Sequence, residues 1–234
     1  VEKIISIKNI NKAFNSKNNA PVMACNNVSF DVYKGEFMSI VGESGCGKST
    51  LMKIITNLEA KTSGEVVYKG IDITELKGEY LRRSRKNIQM LFQDTTASLN
   101  PKMKVKDIIC EPLINFKMIN KKDKLKTALG FLEKVGLDES FINRYPKEMS
   151  GGQRQRVGLA RALTLNPEVL ILDEATSALD IITRDKIIEL IKEIHAKNNL
   201  TVLFVCHDLE LVSKISDRIV VMQKGKVVDL KKAL

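Results

Sequence analysis

Gly42, Glu43, Ser44, Gly45, Cys46, Gly47, Lys48 and Ser49 stand consecutively and fit the spacing of glycine, four residues, glycine, lysine and serine that wraps backbone around a polyphosphate. Glycines at 42, 45 and 47 let N–H groups turn inward, where a side chain would block the phosphate or forbid the dihedral angles. Glu43, Ser44 and Cys46 contribute mainly backbone, although the Cys46 thiol is a possible site of alkylation. Lys48 is placed to reach the β and γ phosphates of a nucleoside triphosphate. Ser49 offers a hydroxyl to Mg²⁺, Thr50 follows it, and a helix starting near Lys48 points its positive end at the anion.

A second chemical group is the run Val169-Leu170-Ile171-Leu172-Asp173-Glu174. An apolar strand that ends in two carboxylates delivers charge to the carboxyl edge of a parallel sheet, where ligands of such sheets bind. Asp173 is placed to hold the Mg²⁺ shell and Glu174 to polarise an attacking water. The competing reading is a pair of solvated carboxylates after a core strand. Ser150-Gly151-Gly152-Gln153 opens a helix with apolar positions Val157, Ala160 and Leu163, so its hydroxyl and unbonded N–H groups form another anion site. This site cannot fold onto the phosphate loop of the same chain. The pairing therefore points to an ATP-driven machine of two chains.

The elements that position these residues change character along the chain. Ile5 to Lys8 and Val28 to Tyr33 alternate as short strands, the second ending at the turn Lys34-Gly35, and 64–70 reads as a further strand. Phe37–Val41 reads as a buried strand and residues 49–55 as a helix. Residues 94–149 are helical in pattern, notably at 105–109 and 125–135, and form a lysine-rich insert. Helix and strand then alternate again: a helix from Gln153 to Leu165, a strand at 169–172, a helix at 183–197, a strand at 201–206 and a hairpin over 217–228. The expected fold is α/β: a core with a mostly parallel sheet, an N-terminal antiparallel β subdomain and an inserted α-helical subdomain. As a single domain, 1–234 divides into a core of 1–93 and 154–234 and a helical part of 94–153.

Composition narrows the classes. The chain has 234 residues, 5% aromatics and no Trp, so its core is aliphatic, as in a parallel sheet covered on both faces. Cys25, Cys46, Cys110 and Cys206 lack metal or redox spacing and read as free thiols of a reducing compartment. No apolar run approaches the ~20 residues of a membrane helix, and the start lacks a signal peptide's apolar core. The net charge of +10 raises nucleic acid or anionic lipid as partners. The runs Arg82 to Lys86 and Lys121 to Lys126, however, have no interleaved aromatics or nucleic-acid signature and read as solvated helix surface. His195 reads as ordinary surface.

In their order along the chain, these motifs resemble the nucleotide-binding subunit of an ATP-binding-cassette (ABC) transporter, and the resemblance spans nearly all of the sequence. The family's signature is present as Met149-Ser150-Gly151-Gly152-Gln153-Arg154, its glutamine loop as Leu91-Phe92-Gln93-Asp94, its D-loop as Ser177-Ala178-Leu179-Asp180, and its switch histidine as Val205-Cys206-His207-Asp208. The resemblance implies that Ser150 to Gln153 meet the γ phosphate held by the other subunit. It makes Gln93 a Mg²⁺ or water contact and a hinge, has His207 contact the γ phosphate and Glu174, and sends Asp180 to the opposite subunit. Phe14 takes the place of the family's adenine-stacking aromatic; the other reading makes it a core residue.

Ile88 to Asp94, Ala97 to Pro101, Ile108 to Leu113 and Arg144 to Met149 resemble the oligopeptide, dipeptide and nickel uptake branch, on the surface that in the family receives the permease. Thr95-Thr96 departs from the proline and aromatic pair frequent there, and the branch's usual His-Pro-Tyr extension is absent after the final hairpin. The implied partners are a second ABC ATPase, two permease subunits and, indirectly, an extracellular solute-binding protein, at the cytoplasmic face of the cell membrane, with no nucleic acid. The competing readings are a cassette of an exporter or lipoprotein-release system and a non-transport ABC ATPase.

Overall fold

The computed structural model describes residues 2–15, 21–92, 98–176 and 179–233. Two sheets enclose one buried helix. The first sheet is antiparallel, in the order β2-β1-β4-β5, from β1 (Lys3–Phe14), β2 (Val22–Tyr33), β4 (Ser63–Tyr68) and the short β5 (Ile71–Asp72). Its first two strands run well beyond the stretches of clean alternation. Register shifts and left-handed Asn9 (φ 50°) and Asn27 (φ 52°) break the period of two without ending the pairing.

The second sheet has the order β10-β9-β3-β8-β7-β6. Here β3 (Phe37–Val41), β6 (Ile88–Leu91), β7 (Val169–Asp173), β8 (Thr201–Val205) and β9 (Arg218–Gln223) are parallel, and β10 (Lys226–Lys232) returns antiparallel beside β9. Lys224 (φ 47°) and Gly225 (φ 77°) make the two-residue turn of that hairpin, both left-handed as a tight hairpin requires.

Successive residues of the central strands serve opposite faces. Val169 and Ile171 join the core between the sheets, whereas Leu170 and Leu172 join the core on the far side. Helix α1 (Lys48–Ile55) lies in the first core with Leu51, Met52, Ile54 and Ile55 all fully buried. Its apolar face is covered while Lys53 stays exposed, and the helix touches both β2 and β7. The sequence around the phosphate loop is thus anchored to both sheets.

Helix α2 (Gly78–Asn87) buries no residue and leads into β6, while beyond the sheet's other face lie α3 (Val105–Asn115), α4 (Lys124–Lys134), α5 (Gly151–Leu163), α6 (Ile181–Asn198) and α7 (Leu209–Ile215). Val105, Ile108 and Leu132 of the inserted helices share one continuous cluster with Phe37, Leu172 and Phe204 of the sheet. Phe204 is 1% exposed and meets the Phe37 ring edge-on at 6.2 Å; truncation of such a residue to alanine costs about 3–5 kcal/mol. The boundary at residues 153 and 154 falls inside α5, which joins the insert to the sheet. No described helix is long and apolar enough to cross a membrane.

His195 differs from the sequence reading. Its ring is half-buried, packed edge-on against Phe37 at 5.4 Å, and its Nδ1 is 2.6 Å from the Leu200 carbonyl. It closes the end of α6, where Asn199 turns left-handed (φ 49°). The four cysteines are free thiols, all buried.

Candidate functional site

The phosphate-type loop leaves β3 at its carboxyl end and runs directly into α1. Its glycines answer to two different demands. A β-carbon on Gly47 (φ 103°) would lie 1.9 Å from the Ala24 carbonyl oxygen, and one on Gly42 would lie 2.2 Å from that of Met222. The protein's own backbone, on β2 and β9, therefore excludes a side chain at both. Gly45 (φ 78°) faces open space, which is where a ligand approaching the loop would come. The Gly225 turn locks this arrangement, donating from its N–H to the Cys46 carbonyl (3.0 Å) and accepting from the Asn26 N–H (2.8 Å).

Lys48 is 4% exposed and its ammonium is held inside the loop. It donates to the carbonyls of Gly42 (2.7 Å) and Glu43 (2.9 Å) and lies 3.9 Å from the Cys46 sulfur. Gly47 supplies no capping side chain to α1, so the first N–H groups of that helix remain for an anion. Ser49 Oγ donates to Asp173 Oδ1 at 2.8 Å, joining the helix to the last residue of β7. Burial pushes the Asp173 carboxyl above the ordinary carboxylate range; the Ser49 bond pulls it down and neighbouring Glu174 pushes it further up.

Glu174 sits in the left-handed region (φ 47°), costly for a side-chain-bearing residue and a frequent mark of a functional turn. Its N–H bonds the Val205 carbonyl at 3.1 Å. Its Oε1 lies 3.9 Å from Lys48 Nζ. The same turn brings Glu174 into one small cleft with His207, Cys206 and Asp208 at the end of β8. Asp208 caps α7 through the Leu211 N–H (3.0 Å), which with Arg184 (3.0 Å) holds its carboxyl low. Lys48, Ser49, Asp173, Glu174 and His207 thus gather at the carboxyl edges of β3, β7 and β8.

The glycine-rich run at 150–153 is not part of this cluster. It lines a separate cleft with Gly136, Asp138, Arg156 and Thr183. Ser150 caps α5: its Oγ accepts from the Gln153 N–H (3.3 Å), and Gln153 Oε1 accepts in return from the Ser150 N–H (2.9 Å). The Gln153 side chain is therefore engaged in its own helix. Gly151 and Gly152 carry the N–H groups that a helix start leaves without an intrahelical partner. Gly152 also has a packing reason, since a β-carbon there would come within 2.4 Å of Thr183 Cγ2.

Asp180 caps α6 by accepting from the Thr183 N–H (3.0 Å), a bond that holds its carboxyl below the ordinary range. Sequence reasoning gave it only a role across an interface. Phe14, at the end of β1, is 41% exposed and belongs to neither core cluster, which sets aside the core reading. Gln93 lies outside the described residues, as do Thr95, Thr96, Ser177 and Ala178.

Gln155 carried no signal in the sequence. It is 3% exposed on α5 and donates through Nε2 to the Ala175 carbonyl, immediately after Glu174. It ties the helix that begins at Ser150 to the turn that aims Glu174. A buried glutamine one turn into a helix stands out only as a polar residue on the face of Leu159 and Ala162.

A profile described as ABC transporter matches residues 25–177, a span that holds the loop, Ser150 to Gln153, Asp173 and Glu174. The oligopeptide transport ATP-binding protein AppF of Bacillus subtilis (strain 168) is 46% identical over 236 residues, covering 98% of this chain and 72% of the relative. The dipeptide transport ATP-binding protein DppF of Lactococcus lactis subsp. cremoris (strain MG1363) is 45% identical over 232 residues, covering 98% and 74%. Among solved structures, the dimeric post-hydrolysis state of the ATP-binding cassette MJ0796 bound to ADP and Pi matches with a TM-score of 0.88 at 34% identity over 99% of each chain. The structure of cbiO1 from Clostridium perfringens, part of the ABC transporter complex cbiONQ, matches with a TM-score of 0.86 at 25% identity, covering 100% of this chain and 90% of the other.

Proposed function

This chain belongs to the ABC transporter family as an ATP-binding subunit, and from there we propose that it hydrolyses ATP in a two-chain sandwich to power the uptake of oligopeptides or dipeptides, or of nickel and similar metal complexes. The observation that carries the reading is the separation of its two anion-binding elements. The loop at 42–49 and the carboxylates at 173–174 form one cluster, while the helix start at 150–153 faces a different cleft. Each half-site requires the other from a second chain.

In this reading the loop and Lys48 bind the phosphates, Glu174 orients water, and His207 contacts the γ phosphate. Little covalent chemistry falls to the protein, so catalysis is positioning and charge neutralisation. The Ser49 hydroxyl and the buried Asp173 carboxylate, 2.8 Å apart, are two hard oxygen donors of the kind Mg²⁺ takes alongside phosphate oxygens. Gln93 is proposed as a third contact. Bound there, Mg²⁺ supplies charge neutralisation on the phosphates. Ser150, Gly151 and Gly152 of the partner close over the γ phosphate, and Asp180 faces the interface from its helix cap.

Support for uptake comes from one groove. Gln89, Met90, Glu111 and Pro112, all within the stretches that carry the branch resemblance, line it together with Arg85 and Arg161. We assign this groove to the permease, at the cytoplasmic face of the membrane, in line with the transport roles named for the peptide-system relatives. Affinity capture of the chain from detergent-solubilised membranes of its source, read by mass spectrometry, tests the assignment. Recovery of a second cassette, two multi-span permeases and a solute-binding protein supports uptake. A single exporter-type permease, or ribosomes or DNA-repair factors, would overturn it and leave the ATPase site as described.

A further inference from the structure

We infer that Lys12 is a positioning residue for the nucleotide base, holding Phe14 as a cation-backed stacking platform; this rests on the reading of Phe14 as the residue that meets adenine. Lys12 Nζ lies over the Phe14 ring, 4.6 Å from its centroid. The ammonium is itself fixed from behind, donating to Glu59 Oε1 at 2.5 Å and to the Ala60 carbonyl at 2.7 Å. Its side chain is only 12% exposed, an unusual degree of burial for a lysine. Phe14, in contrast, is 41% exposed.

These contacts divide the surroundings of the ring. A doubly anchored, largely covered ammonium belongs to the protein side and leaves the exposed part of the phenyl group for a base. A phenylalanine has no hydroxyl to fix its orientation, so something else must hold the ring. Lys12 does so through the ring's quadrupole. Glu59 and Ala60 follow α1, the helix that begins at Lys48, and the Glu59 N–H bonds the Lys53 carbonyl of that helix at 3.1 Å. The phosphate loop and the base platform are thereby linked through one helix.

The test is the equilibrium affinity of the full chain for ATP, with inorganic tripolyphosphate as a ligand that has no base. Loss of one such contact is expected to make Lys12→Met bind ATP about two- to fivefold more weakly, with tripolyphosphate affinity unchanged and Lys12→Arg restoring the wild-type value. Phe14→Ala should weaken ATP binding at least as much, and adding Lys12→Met to it should bring little further loss. Unchanged ATP affinity in Lys12→Met beside a weakened Phe14→Ala would overturn the role of Lys12 alone. Unchanged affinity in Phe14→Ala would overturn the stacking reading itself. Tighter ATP binding in Lys12→Met would make the lysine a competitor of the base, and equal loss for both ligands would make it a structural residue; either result contradicts the inference.

Discussion

Glu174 Oε1 lies 3.9 Å from Lys48 Nζ, with the lysine side chain 3% and the glutamate 20% exposed. One residue approaches from the helix after β3, the other from a strained turn after β7. The contact balances charge across the place where phosphate and water would meet. Replacing Glu174 by Gln removes the proposed base but keeps the shape of the turn. ATP binding is expected to persist while turnover falls by ~10²- to 10⁴-fold. Rapid-quench measurement of a single turnover checks this, and wild-type chemistry in the variant would remove Glu174 from the role.

The loop glycines should separate into two classes. Gly47→Ala places a methyl group against the Ala24 carbonyl in a region where non-glycine residues are strained, so it should lose both fold stability and nucleotide binding. Gly45→Ala meets no protein atom within 4 Å; its stability cost is confined to the left-handed backbone, about 1–3 kcal/mol, while its methyl group on the ligand side should still weaken nucleotide binding. Paired thermal melts and ATP titrations distinguish them. Equal destabilisation by the two would contradict the packing account.

Much of this was legible in the sequence because it is local. The loop, the apolar β7 with its terminal carboxylates, and the sites of β3 and β8 follow from short patterns, since strands buried on both faces are uniformly apolar. Four-residue β6 was missed: Gln89 and Met90 are only half-buried, so no clean period marks it. The full lengths of β1 and β2 were hidden by bulges at Asn9 and Asn27. Contacts between distant residues left no trace: Gln155 on Ala175, Lys12 on Glu59, and His195 on Phe37. The capping duties of Ser150 and Asp180 follow from the residue types alone, since serine and aspartate are favoured helix caps.

Ser150 caps α5 and is proposed to meet the partner's phosphate, and two substitutions separate these roles. Ser150→Ala removes the cap on α5 and should cost about 0.5–2 kcal/mol of stability. Ser150→Asp retains a good capping carboxylate but sets a negative charge where the partner's phosphate is proposed to bind. It should melt near the wild type and yet lose ATP-dependent association. A Ser150→Asp variant that associates normally would argue against contact between this residue and the phosphate.

Glu36, 6% exposed, accepts from Arg218 Nη1 at 3.1 Å and from the Tyr33 N–H at 2.8 Å at the base of β3. Burial raises its carboxyl above the ordinary value despite both bonds. Arg218→Met strands that carboxylate and should cost about 3–5 kcal/mol at neutral pH. A carboxyl raised in the folded state binds its proton before the unfolded chain does, so stability falls as pH rises through its range. The deficit of the variant should therefore be largest near neutrality and narrow as pH falls toward the ordinary glutamate value of 4.5. Denaturant unfolding at several pH values checks this, and a deficit independent of pH would contradict it.

The phosphate loop of one chain is proposed to be completed by the Ser150 helix of another. Sedimentation of Glu174→Gln in the presence of ATP tests it most directly. A dimer is expected with ATP, monomers with ADP, and monomers with ATP when Ser150→Asp is added. A Glu174→Gln chain that binds ATP and remains monomeric, or a dimer indifferent to the nucleotide and to Ser150, would contradict it.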